Sequence, residues 1–306
     1  MKRDLRYRGV VMRRLLFLTA IVLGLVGAVR PVAAPTAFSS GVADPAGLEG
    51  FDPSPDLRND PRVVAFLLAY GPLLDGVTYQ GDDAVFTVGG HAIHFQDGRM
   101  LGDGHLDETD DYDPFFYRYS LEPLREPLPL EDSPAQSTDV LEVLFGRSED
   151  EIRRHCESVT FLNRRLFVNT LAAGPLQAVE AEILGVAKQD PAVAGWIEGL
   201  EIAFSFMNKE IAGSASRSYH AWGLALDLVP SSYDGKQVYW RWSRVFNREG
   251  WHRIPLAERW SPPRTVVEAF ERHGFVWGGK WVHFDAMHFE YRPEILSYNR
   301  MLATGG

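Results

Sequence analysis

Apolar and polar positions change their period along the chain, and the changes divide it. From Val63 to Tyr70 apolar residues run almost unbroken and stop at Gly71–Pro72, which predicts a short buried helix. The period then falls to two. Ala84–Val88, His91–Phe95 and the turn pairs Gly89–Gly90 and Asp97–Gly98 alternate, which predicts a small β-meander over 76–101. Pro123, Pro127, Pro129 and Pro134 interrupt every pattern and place a boundary at 137. From Thr138 the spacing lengthens to that of helices. Val140, Leu141, Val143, Leu144 and Phe145 make one apolar stripe, and Ser148–Glu151 has the form of a capping box opening a helix that carries His155 and Cys156. Leu176, Val179 and Ile183 mark another helix with Pro175 in its first turn. Residues 197–206 read as a strand, 240–247 and 263–273 as late helices, and 274–279 as a strand and turn. No internal repeat is present.

This order predicts an α+β protein in three parts: 1–34 a signal peptide, 35–137 an N-terminal region with a proline-rich linker and the β-meander, and 138–306 the main domain. The first part rests on charge. Lys2, Arg3, Arg6, Arg8, Arg13 and Arg14 precede the apolar run Leu15–Val29, and small residues follow at Ala28, Ala33 and Ala34. That is the pattern of an export signal, cleaved after Ala28 or Ala34, and the run is short for a membrane span. The protein is therefore expected to be exported, to the periplasm or cell surface. It would touch a membrane only through this sequence or an uncleaved anchor.

Composition narrows the chemistry only a little. A net charge of −10 argues against a nucleic-acid partner. With one cysteine, Cys156, the chain has no internal disulfide and must rest on its core or a metal. The acidic run Asp103–Asp113 lacks the ordered carboxylates of a calcium loop and reads as a solvated loop. His91 and His94, three apart on a strand, face opposite sides and do not share a metal.

Two other stretches carry chemistry. Ser218–Tyr–His220–Ala–Trp–Gly223–Leu–Ala225–Leu–Asp227 sets an imidazole and a carboxylate around a glycine inside an apolar run. Trp281–Val–His283–Phe–Asp285–Ala–Met–His288–Phe–Glu290 supplies the rest. A catalytic zinc takes three protein ligands, and a nearby carboxylate must move the proton of the attacking water. His220, Asp227 and His288 are candidate ligands and Asp285 the candidate base. Lys209 and Arg217 are candidate cations for the oxyanion, and Ser218 and Glu290 candidate partners that orient the ligands. His283 is a rival ligand. On a continuous strand Asp285 and His288 would face apart, so the strand must end or bend near Met287. Trp222, Trp240, Trp242, Trp277 and Trp281 crowd both stretches, as core or as aromatic walls.

Ser218-x-His220-x-x-Gly223-x-Ala225-x-Asp227 followed by Asp285-x-x-His288 resembles the zinc D-alanyl-D-alanine carboxypeptidase and L-alanyl-D-glutamate endopeptidase family. The resemblance covers about residues 160–297. It implies the α+β fold shared with the hedgehog signalling domain: a small antiparallel sheet with flanking helices, here preceded by a β-containing N-terminal region. It implies Zn2+ on His220, Asp227 and His288, Asp285 as base, and peptidoglycan stem peptides as substrate. The family's substrate-holding arginine falls nearest to Lys209, with Arg217 as substitute. The activity implied is that of a D-alanyl-D-alanine carboxypeptidase. An L-alanyl-D-glutamate-type endopeptidase and a non-catalytic, metal-containing wall-binding protein are the alternatives.

Overall fold

The computed structural model describes residues 55–132, 134–207 and 217–305. The signal-like segment, most of the following arm and Lys209 lie outside the described residues. The described chain opens with α1 (Pro55–Asn59) and α2 (Pro61–Tyr70). Asp60 caps α2 by accepting from the Arg62 N–H at 2.8 Å, with Pro61 in the first turn where no N–H is needed. The meander follows as β1 (Gly76–Gln80), β2 (Asp83–Val88), β3 (His91–Gln96) and β4 (Arg99–Gly102), paired antiparallel in that order. One face buries Phe86, Ile93, Phe95 and Met100, and Phe86 of that face meets Phe66 of α2 at 4.7 Å between ring centroids. His94 sits between the carboxylates of Asp83 and Asp103, at 2.8 and 3.0 Å.

The acidic run expected as a loop instead forms 3-10 turns over Asp103–Asp111. His105 ties it to Asp139 at 2.7 Å, and Asp139 also accepts from the Gly102 N–H. That anchors the run onto α3 (Asp139–Phe145). After α3 comes α4 (Glu149–Arg154), whose capping box is complete: Ser148 accepts from the Glu151 N–H, and Glu151 from the Ser148 N–H.

The helix predicted through Cys156 ends earlier. Cys156 opens β5 (Cys156–Phe161), which pairs with β6 (Arg164–Asn169) in a hairpin that the helical reading of this region missed. Its turn residues, Leu162 and Asn163, both take left-handed φ of 46° and 62° without a glycine to announce them. The Leu162 side chain is buried and its N–H donates to Glu180, which holds the turn in place. In the strand the Cys156 thiol faces the Trp222 carbonyl at 3.7 Å, and burial pushes its pKa up to about 12. Alkylation of the native protein at pH 8 should therefore run about a thousand-fold slower than that of a free thiol. Timed iodoacetamide labelling checks this, and a free-thiol rate would contradict it.

The long helix α5 (Thr170–Ala187) also begins earlier than expected. Asn169 accepts from the Leu171 N–H and caps it, so Pro175 lies inside rather than at the first turn, at the loss of one helical hydrogen bond. Likewise Ile197 belongs to α6 (Pro191–Gly199), started by Asp190 as cap and Pro191 in the first turn, so the strand expected from 197 is only β7 (Leu200–Phe204).

The second sheet has the order β7-β8-β10-β9, antiparallel throughout, with β8 (Ala225–Pro230), β9 (Phe275–Trp277) and β10 (His288–Tyr291). Helices α7 (Trp240–Phe246) and α8 (Arg264–Arg272) lie close to their predicted limits, and α9 (Pro293–Thr304) closes the described chain. One face of the sheet is core: Phe289 stacks on Phe270 of α8 at 4.0 Å, and both are fully buried. Burial of each ring contributes roughly 2–3 kcal/mol. The architecture is α+β, with small antiparallel sheets and flanking helices.

Contacts run across the proline-rich stretch. Helix α2 packs on α9, where Tyr70 donates to Glu294 at 3.0 Å, and Tyr119 donates to Glu271 of α8 at 2.5 Å. The described residues all fall in one compact unit. No helix among the described residues is long and apolar enough to cross a membrane.

Candidate metal centre

The site follows from strand register. In the antiparallel pair β8–β10, His288 stands directly opposite Asp227, with Phe289 opposite Leu226. Side chains alternate across a sheet, so Asp227 and His288 share one face while Leu226 and Phe289 go to the core. The sequence-derived condition on Asp285 is met: β10 begins only at His288, and 286–287 form a turn. The Asp285 N–H donates to Gly278, and its carbonyl accepts from the His288 N–H at 3.2 Å.

His220 reaches the same face by another route. It lies in a single 3-10 turn, Tyr219–Trp222, that Ser218 caps by accepting from the His220 N–H at 3.4 Å. Gly223 then turns the chain in the left-handed region, φ 68°, so that β8 carries Asp227 back past His220. A β-carbon at Gly223 would meet the Asn169 backbone nitrogen at 2.8 Å. Gly223→Ala should therefore cost about 1–3 kcal/mol of stability. A melting temperature equal to that of the wild type would contradict this.

The three groups converge. One ligand atom from each of His220, Asp227 and His288 lies within 4.8 Å of the others. Asp227 Oδ1 is 3.3 Å from His220 Nε2 and 2.8 Å from His288 Nδ1. The outer nitrogens are already committed: His220 Nδ1 donates to the Ser205 carbonyl at 2.6 Å, and His288 Nε2 to Glu290 at 2.9 Å. A carbonyl can only accept, so it assigns the His220 proton to Nδ1. The inner nitrogens are left as the metal-facing ones. Both rings are buried and Asp227 is partly open. Two imidazoles and a carboxylate, each oriented by a second partner, fit a zinc ion.

Electrostatics reflect the same cluster. Burial opposes a charge on Asp227, but His220 and His288 outweigh it and hold its carboxyl well below the usual range. Burial likewise opposes a charge on His288, yet the hydrogen bonds to Asp227 and Glu290 raise its pKa well above that of a free imidazole. Behind Glu290 the chain of charge continues. Arg292 Nη1 lies 3.7 Å from Glu290, and Arg292 Nε bonds to Glu294, which also accepts from Tyr70. The Arg292 guanidinium lies over the rings of Phe115, Tyr117 and Tyr219. Residues from both sides of the proline-rich stretch therefore brace Glu290. Glu290→Gln keeps the size but removes the charge that orients His288, and should weaken zinc affinity about 10–100-fold in a metal-buffered titration. An unchanged affinity would contradict this role.

The other candidates fall as follows. Asp285 Oδ1 accepts from the Met287 N–H at 3.3 Å. Tyr239 pairs with Asp285 in a short β-bridge, and its hydroxyl feels both Asp285 and Asp227. Burial and then Asp285 push its pKa up to about 12, and Arg241 hydrogen-bonds it. Tyr239, Arg241 and the Ser205 carbonyl are site members that motif spacing missed. The bridge reveals Tyr239, the hydrogen bond to its hydroxyl reveals Arg241, and a backbone carbonyl leaves no sequence signal. Arg217 donates to the Arg147 carbonyl at 2.8 Å and stacks on Trp222. Lys209 lies outside the described residues. His283, the rival ligand, packs instead on Trp240 and Trp251, with ring centroids 4.6 and 5.1 Å away. Of the tryptophans, Trp222 is fully buried core, and Trp281 lies against the His288 ring at 5.6 Å.

Residues 212–291 match the family model described as D-alanyl-D-alanine carboxypeptidase, about a quarter of the chain. The match takes in Arg217, Ser218, His220, Asp227, Asp285, His288 and Glu290, and Lys209 precedes it. No solved structure matches the chain. The matched segment contains all three residues of the candidate metal centre.

Proposed function

We propose that the protein is an exported zinc peptidase acting on peptidoglycan stem peptides, as a D-alanyl-D-alanine carboxypeptidase. The observation that carries this reading is the convergence of His220 Nε2, Asp227 Oδ1 and His288 Nδ1, each ring held by a partner on its far nitrogen. The family match over the same residues supports the substrate class. The basic, then apolar, N-terminus supports export.

His220, Asp227 and His288 would hold the zinc. Bound there, zinc supplies Lewis acidity, which makes water a nucleophile near neutral pH and polarises a carbonyl. Asp285 takes the proton of the attacking water on its carboxylate as the water oxygen bonds to the scissile carbonyl carbon. It returns that proton to the amide nitrogen as the C–N bond breaks. Tyr239 lies beside Asp285 and Asp227, where its hydroxyl can donate to an oxygen of the substrate. The negative charge that develops on the carbonyl oxygen calls for a cation. Lys209 and Arg217 are the candidates from sequence, and Arg241, bonded to Tyr239, joins them.

Mass spectrometry of purified muropeptides after incubation tests the reading. Loss of a single terminal D-alanine is the expected result. Cleavage between L-alanine and D-glutamate would make the enzyme an endopeptidase of the same family. Retention on sacculi without any cleavage would leave a metal-containing binding protein.

A further inference from the structure

A cavity borders the turn that carries Asp285. It encloses about 240 Å3. Phe284 and Ala286, the two neighbours of Asp285, form one wall, and Leu121 and Leu124 of the proline-rich stretch another. Trp260 and Val267 add to a lining that is mainly apolar.

The polar groups in this cavity are unevenly matched. Lys280 is buried and paired with Glu271 at 2.6 Å, and Glu271 also accepts from Tyr119. Arg264 bonds to Glu268 at 2.5 Å. Arg259 has no such partner. It is 6% exposed, and Nε and Nη2 donate to the backbone carbonyls of Ile254 and His252 at 3.1 and 3.0 Å. Its guanidinium carbon stacks 4.1 Å from the Phe284 ring centre. Among the described residues Nη1 has no hydrogen-bond partner and no carboxylate lies in ion-pair range. The lining thus holds three cations, Arg259, Arg264 and Lys280, against two carboxylates, Glu268 and Glu271.

A buried charge without a counter-ion is costly, and stacking on one ring offsets only part of that cost. Burial alone draws the Arg259 pKa down to about 10, with no acidic group to restore it. A guanidinium fixed by two of its nitrogens, with the third left over at an apolar cavity, is arranged to take one oxyanion. The single excess charge suits a monoanion, and the walls suit an apolar body.

We propose that this cavity is a binding site for a small apolar monocarboxylic acid, whose carboxylate pairs with Arg259 and whose body packs on Phe284, Trp260 and Val267. An acid bound there lies against the same turn that presents Asp285.

Calorimetric titration of the full-length protein tests this. The probes are octanoate, 4-phenylbutyrate and indole-3-acetate, each against its primary amide, with inorganic phosphate as a further arm. At least one acid should bind saturably and about ten- to a hundred-fold tighter than its amide, the difference a charge-assisted hydrogen bond makes. Phosphate should not compete. In Arg259→Gln the acid should fall to the affinity of the amide, while amide binding persists and shows that the cavity is intact. If no acid in the wild type outbinds its amide, the proposal is wrong whether or not the variant folds. Equal binding of phosphate, or an acid preference that survives in Arg259→Gln, overturns it as well.

Discussion

Asp285→Ala is expected to bind one zinc as the wild type does and to lose hydrolysis, with kcat lower by about two to four orders of magnitude. The two halves of that result have separate causes. The proposed ligand atoms belong to His220, Asp227 and His288, and the bonds that orient them run to Ser205 and Glu290. The bond that the Asp285 carboxylate accepts from the Met287 N–H serves the turn rather than a ligand ring. The backbone bonds that fix the turn, from Asp285 N–H to Gly278 and from His288 N–H to the Asp285 carbonyl, survive truncation of the side chain. What is lost is the group that accepts the water's proton and returns it to the leaving amine. Zinc content by atomic emission, read beside the rate of muropeptide cleavage, checks both halves. Normal hydrolysis by the variant would remove Asp285 as the base.

His220→Ala should lose the metal itself. Apparent zinc binding in structural four-ligand sites amounts to roughly 10–16 kcal/mol, so loss of one ligand should cost several kcal/mol, about a thousand-fold or more in affinity. The loss also leaves a buried acceptor without its donor, because the Ser205 carbonyl is bonded by His220 Nδ1. The contrast with Glu290→Gln is useful. That variant keeps all three ligands and disturbs only the orientation of one, so its deficit should be far smaller. If His220→Ala retained stoichiometric zinc at the wild-type affinity, the ligand assignment would fail.

The site was partly legible because its elements are short-range. His220 and Asp227 are neighbours in sequence, and Gly223 announces the turn between them. The same holds for Asp285 and His288, whose three-residue spacing implies a turn once the strand is broken. What sequence could not show is contact across long separation. Tyr239 meets Asp285 through a β-bridge, and Tyr70 and Arg292 meet on Glu294 although Tyr70 lies 224 positions from it. Such pairings depend on how helices pack, which no local period encodes. Two elements depart from their expected form for a related reason. The β5–β6 hairpin turns on Leu162 and Asn163, with none of the usual glycine signal. The Asp190–Pro191 start of α6 was overlooked in an apolar run where helix and strand read alike.

The network around Arg292 gives the region before the proline-rich stretch a part in the candidate metal centre. Phe115 and Tyr117 stack on Arg292, which lies beside Glu290, and Glu290 holds His288. With His288 Nε2 bonded to Glu290, it is Nδ1 that faces Asp227.

The most direct test of a zinc peptidase is reconstitution on the natural substrate. The protein is stripped with chelator, titrated with zinc, and assayed on muropeptides by mass spectrometry at each step. The stripped protein should show no cleavage, and cleavage should rise in proportion to zinc and saturate at one equivalent. Cleavage that persists at full rate in the stripped protein, or muropeptides left unchanged at one equivalent of bound zinc, would contradict this.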